Sequence, residues 1–138
     1  MKKIIVALTL CMSVVAFAQK SDAPTVAKAA FAKAYPAATK VKWEKEDGNY
    51  EVTFVDKGKE LSAVYNAKGI LTESEHEIKV SELPAAVTAY MKDHYKGITV
   101  KGAAKITKAD GSINYEAAIK GKDVLFDANG KFIKEAKD

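Results

Sequence analysis

Apolar residues recur along this chain at two spacings, one helical and one of period two, and the pair of spacings comes round twice. From Pro24 to Ala38 the spacing predicts a helix: Ala27, Ala30, Phe31 and Ala34 form one stripe. Pro24 suits its first turn, Asp22 lies where the helix dipole favours an anion, and Tyr35-Pro36 stops it. From Lys40 the period falls to two. Val41 and Trp43 alternate with Lys40, Lys42 and Glu44; Asp47-Gly48 signals a hairpin; Tyr50, Val52 and Phe54 then alternate with Glu51 and Thr53. Lys57-Gly58 turns the chain into Leu61, Ala63 and Tyr65, Asn66-Ala67-Lys68-Gly69 suits a type I turn, and Ile70 to Ile78 reads as a fourth strand.

A second helix is expected over Ser81 to Lys96, with Val87, Tyr90, Met91 and His94 as a core stripe and Gly97 as its C-terminal cap. Strands follow again. Ile98, Val100, Ala104 and Ile106 alternate with Thr99, Lys101 and Lys105, with a bulge or bend expected at Gly102. Asp110-Gly111 and Lys120-Gly121 repeat the earlier turns, Tyr115 and Ile119 repeat Tyr50 and Phe54, and Asp127-Ala128-Asn129-Gly130 echoes Asn66 to Gly69 before a last strand at Lys131 to Lys134. The helix openings match residue by residue: Ser21-Asp22-Ala23-Pro24 returns as Ser81-Glu82-Leu83-Pro84, and Ala27, Phe31 and Tyr35 return as Val87, Met91 and Tyr95. The expected fold class is α+β, a tandem repeat of one helix plus four antiparallel strands over about residues 21–78 and 81–137, with the helices on one face of the sheet. One such unit is near the lower size limit for a self-supporting core, and two can share one. No third helix is available for the other sheet face, so that face is expected to be solvated or a docking place.

Residues 1–18 have the pattern of an export signal: Lys2 and Lys3, the apolar run Ile4 to Val15, and Ala16-Phe17-Ala18 as an A-x-A cleavage site, so that the mature chain begins at Gln19. The run is shorter than the roughly 20 apolar residues of a membrane span. Cys11 does not complete a lipid-attachment box, because Leu10 stands where a small residue is needed. A periplasmic or secreted protein follows, with no membrane attachment after cleavage. Cys11 is the single cysteine, so the processed chain has neither a disulfide nor thiolate chemistry. About 120 residues remain as one domain, and loss of Lys2 and Lys3 lowers the formal charge from +4 to +2. Every basic residue is Lys and none is Arg, and lysines and acids alternate instead of clustering, which excludes a nucleic-acid surface and reads as a solvated exterior.

Candidate chemistry is sparse. His76 and His94 fall in different repeats, no Ser sits in a nucleophile turn, and no paired acid and base emerges, so no catalytic residues and no cofactor are expected. Glu73, Glu75 and Glu77 at period two read as a solvated strand face, or as a surface for a basic peptide. Asp127-Ala128-Asn129-Gly130-Lys131 has the opening of a calcium loop, but its Gly comes at the fourth position and no acid stands at the fifth, so a hairpin turn explains it. The His and Cys spacing of a zinc site is absent, and no metal is expected.

Trp43, the run Glu46 to Phe54, Tyr65 to Gly69, and Leu83-Pro84-Ala85-Ala86-Val87 resemble the PepSY-like periplasmic proteins of the beta-lactamase-inhibitor-like class, over essentially all of Pro24 to Lys134. The resemblance implies the same tandem repeat and a concave outer sheet face, and leaves open whether the two sheets join. Inhibitor proteins of similar fold grip an enzyme with that face, and PepSY domains are associated with restraint of peptidases. Trp43, Tyr50 and Phe54 are most simply core aromatics facing the helix. In the second repeat Trp43 is replaced by a small or aliphatic residue near Lys105 and Ile106, and Phe54 by Ile119, so the halves are not equivalent in binding. The function expected is a non-catalytic, monomeric binding module, an inhibitor or regulator that holds a protein or peptide partner on the uncovered face. The contact residues are those alternating away from the core: Lys42, Glu44, Glu51, Thr53, Lys105, Glu116 and Lys120. The alternative is a small-ligand carrier with its site between the repeats near Gly102.

Overall fold

A computed structural model describes residues 23–46 and 48–137 of the chain. The export signal, its cleavage site, Cys11 and the helix-opening residues Ser21 and Asp22 lie outside the described residues. Helix α1 (Thr25–Ala34) precedes strands β1 (Thr39–Glu46), β2 (Asn49–Asp56), β3 (Lys59–Tyr65) and β4 (Leu71–Ile78); helix α2 (Ala85–His94) precedes β5 (Gly102–Lys108), β6 (Ile113–Ile119), β7 (Lys122–Asp127) and β8 (Phe132–Lys137). The strands are antiparallel and follow one another in chain order. The fold class is therefore α+β, as the alternation of spacings implied. Two compact units divide between Ser74 and Glu75, inside β4.

The helices are shorter than their apolar stripes suggested. Pro24 and Pro84 stand just outside α1 and α2, at the N-cap, with extended backbone (ψ 144° and 143°). The Tyr35 N–H closes α1 on the Phe31 carbonyl at 2.8 Å, and the Tyr95 N–H closes α2 on that of Met91 at 2.9 Å. Pro36 forces Tyr35 out of the helical region. Tyr95 leaves the helix at the same place (φ −123°, ψ 51°) without a proline behind it. Ser81 and Glu82 belong to a separate 3-10 turn, Val80–Glu82, in which the Glu82 carboxylate accepts the Lys79 N–H at 2.7 Å.

Each helix buries its stripe on the strands of its own unit. In unit 1, Ala27 and Phe31 pack on Val52, Phe54, Ala63 and Tyr65, with Trp43, Tyr35 and Leu61 at the margin. Phe31 stands at the centre of the aromatics, edge-on to Phe54 (4.9 Å between centroids) and to Trp43 (5.6 Å). In unit 2, Leu83, Val87 and Met91 pack on Ala103, Ala117, Ile119, Val124 and Phe126. The position opposite Val52 holds Trp43 and the position opposite Ala117 holds Ala103, so a small residue does replace the tryptophan. Bulk moves to the helix: Tyr90 takes the place of Ala30 and stacks on Phe132 at 5.3 Å. His94 is exposed, lying flat on Tyr90 (3.9 Å), and is not part of the core stripe.

Strand β5 also departs from expectation. It starts at Gly102, and Ile98 to Lys101 are outside it, with Ile98 half exposed. Lys101 N–H still reaches the Ala118 carbonyl at 2.8 Å, but the side-chain alternation begins only at the strand. The irregularity expected at Gly102 is found elsewhere, between Thr39 and Lys42 in β1, where Lys40 has φ 53°, and between Leu125 and Phe126 in β7.

The turns after β3 and β7 pack against the helix of their own unit. At Gly69 (φ +76°) an added Cβ would meet the Val26 carbonyl oxygen at 2.8 Å, and at Gly130 (φ +79°) it would meet Ala86 Cβ at 2.6 Å. Gly58 has the same backbone conformation (φ +76°) with open space around it. Gly58→Ala is expected to cost only the left-handed penalty, about 1 kcal/mol, whereas Gly69→Ala also meets immovable backbone and should cost roughly 2–3 kcal/mol; urea unfolding midpoints of the two variants make the comparison.

Tyr65 carries a second, opposite expectation. Its hydroxyl is buried with no hydrogen-bond partner among the described residues, and burial, with a smaller contribution from Tyr35, raises its pKa. Unit 2 has Phe126 at the same position. Removing an unsatisfied buried hydroxyl relieves a desolvation cost of about 1 kcal/mol or more, so Tyr65→Phe should leave the urea midpoint unchanged or raise it.

Candidate binding face

Strand register decides which side chains point away from the helices, because residues paired across an antiparallel ladder share a face. Trp43 pairs with Val52, and Tyr50 with Tyr65, on the helix side. The aromatic residues of β1 to β3 are all on that side. On the other side of unit 1, Lys42 pairs with Thr53 and Glu44 with Glu51; Thr53 continues to Ser62 and Glu51 to Val64. The face is thus built of polar and short side chains. The Lys42 ammonium meets the Glu44 carboxylate at 2.5 Å with both side chains more than half exposed. Such a pair contributes little in water, about 1 kcal/mol at most, and its charges stay available to a partner.

Lys42, Glu44, Glu51 and Thr53 therefore lie together, as neighbours on β1 and β2, and Glu116 occupies in β6 the place that Glu51 has in β2. Lys105 does not lie on this face. It pairs with Tyr115 on the helix side, because the alternation of β5 is set by Ala103 opposite Ala117, and both Ala103 and Ala104 are apolar. Lys120 is exposed in the turn between β6 and β7 and belongs to neither face. Exposure separates the remaining residues. Lys42, Glu44 and Thr53 are open to solvent, whereas Glu51 (9%) and Glu116 (2%) are buried.

Ala104, Ile106, Glu116 and Asp123 face away from α2, and all are buried. Ala104 and Ile106 have the apolar parity expected of core positions, but the pairing of Ala103 with Ala117 turns them to the reverse face, and no local pattern marks Asp123. On β4, Glu75 is buried, so Glu73, Glu75 and Glu77 are not a uniformly solvated row. Asp127 behaves as a turn residue: one carboxylate oxygen accepts the Asn129 and Lys131 N–H groups, both at 2.9 Å, as Asn66 does for Lys68 and Ile70. Among the described residues no three His, Cys, Asp or Glu side chains are grouped to hold a metal ion.

Tyr95, Asp110 and Glu135, whose pKa values are shifted, are not among the residues of this face. Glu135 on β8 accepts the Lys122 ammonium at 2.8 Å and the Tyr95 hydroxyl, tying the end of α2 to the sheet of unit 2. Lys122, then Tyr95, lowers the Glu135 pKa; partial burial, then the bond to Glu135, raises that of Tyr95. The Asp110 carboxyl is lowered by its hydrogen bonds to Ser112 in the β5–β6 turn. In the first repeat Leu61 and Ser74 stand where Lys122 and Glu135 do, so this polar clamp is peculiar to unit 2.

The arrangement is that of a helix-backed antiparallel sheet module, with the aromatics of β1 to β3 in the core and the exposed Lys42, Glu44 and Thr53 on the reverse of unit 1. The chain belongs to the beta-lactamase-inhibitor-like, PepSY-like family, whose profile matches residues 16–73 and again residues 48–134. No curated protein matches it in sequence. A BLIP-like protein of Bacteroides fragilis is 26% identical, with 83% of this chain and 86% of that one covered and a TM-score of 0.64. A DUF2874 family protein of Bacteroides uniformis is 20% identical, covers 83% and 89%, and gives a TM-score of 0.72. A Bacteroides eggerthii protein described as periplasmic is 17% identical, covers 83% and 88%, and gives 0.69. No helix among the described residues is long and apolar enough to cross a membrane.

The Tyr95–Glu135–Lys122 clamp sets an expected pH dependence. Tyr95 has its pKa raised from near 10, so its contribution is complete below about pH 10 and is lost as pH rises towards the folded value. Glu135 has its pKa lowered from 4.5, so its contribution is present above about pH 4.5 and is lost as pH falls through the folded value. Urea midpoints between about pH 3 and 11 should show a weaker alkaline decline in Tyr95→Phe and a weaker acid decline in Glu135→Gln.

Proposed function

We propose that this chain is an exported, non-catalytic binding module, cleaved after Ala18, which works as a monomer and regulates a protein or peptide partner held on the unit 1 sheet face. The observation that carries this reading is the exposed trio Lys42, Glu44 and Thr53 on adjacent strands, facing away from α1. Mixed charge on a rigid strand pair suits register-specific recognition of an oppositely patterned segment. The fold supports the reading, since the helix and the aromatic core leave the reverse side as the place where contacts can be made. A membership among beta-lactamase-inhibitor-like proteins is consistent with a partner that is itself a protein.

A photo-crosslinking residue placed at Thr53, and separately at Lys33 on the exposed side of α1, tests the face directly in exporting cells. A discrete adduct is expected from position 53 and not from position 33, and Lys42→Glu with Glu44→Lys should reduce it. Equal adducts from both positions, or an adduct indifferent to the charge swap, would overturn the assignment.

A further inference from the structure

Unit 2 contains an apolar groove of about 340 Å³ at the end of α2, lined by Val80, Leu83, Met91, Ile98 and Val100, with Lys92 and Lys96 on its margin. Leu83 and Met91 form its buried floor, while Val80 and Ile98 are 39% and 50% exposed and would gain by being covered. The charged side chains that line it are both ammonium groups; no carboxylate does so. An apolar concavity of this size edged by two cationic side chains is large enough for a small molecule, and a methionine floor adapts to flexible alkyl chains.

The repeat provides an internal comparison. In unit 1 the residues at the places of Lys92, Lys96, Ile98 and Val100 are Ala32, Pro36, Ala38 and Lys40, so the cations and the apolar wall of the groove are both particular to unit 2. Neither is required for the helix-on-sheet packing that the two units share. The carbonyl end of α2 disfavours an anion nearby, so recognition of one would have to come from Lys92 and Lys96 themselves.

We propose that this groove binds a small amphipathic carboxylate, with its alkyl part on Leu83, Met91 and Ile98 and its head at Lys92 and Lys96. The site is independent of the sheet face of unit 1. Cationic amphiphiles are disfavoured by the two ammonium groups, and neutral ones lack the head-group contact.

Met91 is the only methionine beyond the export signal, which makes its methyl group a single reporter at the floor of the groove. In the exported protein labelled at the methionine methyl carbon, decanoate should shift the Met91 resonance saturably with one equivalent bound. Decylammonium should bind about ten-fold or more weakly, and Lys92→Glu with Lys96→Glu should weaken decanoate by a similar factor. Both lysines are exposed, so these variants should keep the far-ultraviolet circular dichroism of the parent; Lys92→Gln with Lys96→Gln replaces them if charge reversal unfolds the unit. Thr53→Lys, on the sheet face of unit 1, should leave decanoate binding unchanged. A Met91 resonance that decanoate does not move, or equal affinities for decanoate, decanol and decylammonium, would overturn the proposal.

Discussion

Everything else in this protein depends on a narrow apolar stripe on each short helix finding one face of its sheet. Ala27 and Phe31, and in the second unit Val87 and Met91, are the fully or nearly fully buried helix positions. They sit one helical turn apart, so each helix rests on its strands through little more than one turn of fully buried contact. A ten-residue helix would be marginal alone in water, and neither receives a side-chain hydrogen bond from its N-cap residue. Burial on the sheet is what holds them, and it also fixes which sheet face remains for other work.

The two units solve that packing problem with different residues. Unit 1 places bulk on the strands, with Trp43 and Phe54 closing around Phe31. Unit 2 places bulk on the helix, with Tyr90 between His94 and Phe132 over a sheet thinned to Ala103 and Ala117. Close packing tolerates such exchanges when total volume is kept. Once the aromatics have moved, the margins of the units differ, and the clamp of Tyr95, Glu135 and Lys122 and the lysine-flanked groove are found in unit 2. The polar pair Lys42 and Glu44, with Thr53 beside it, is found in unit 1.

Most of the elements were legible because their signals are local. Proline before each helix, Gly in each turn and strict alternation in β2 act within a few residues, and the structure follows them closely. The family was legible for the same reason, through Trp43, the run to Phe54 and the repeated turn motif. The candidate face was legible only in part. Alternation placed Lys42, Glu44, Glu51 and Thr53 correctly as neighbours, since Trp43, Val52 and Phe54 mark the opposite parity without ambiguity. It misplaced Lys105, because apolar residues stand at both parities around it and strand β5 starts four residues later than the apolar run.

What the sequence determined by itself was the order of elements, the duplication and the direction of each helix stripe, because propensity, turn chemistry and periodicity are properties of neighbouring residues. Burial was decided by tertiary structure. Glu51 and Thr53 are two residues apart on one strand face, yet one is buried and the other open. Ile98 has the composition of a core residue and lies half exposed beside a groove. The environment of a side chain depends on what the rest of the chain brings over it, and that is set by contacts between residues far apart in sequence, which no local pattern records.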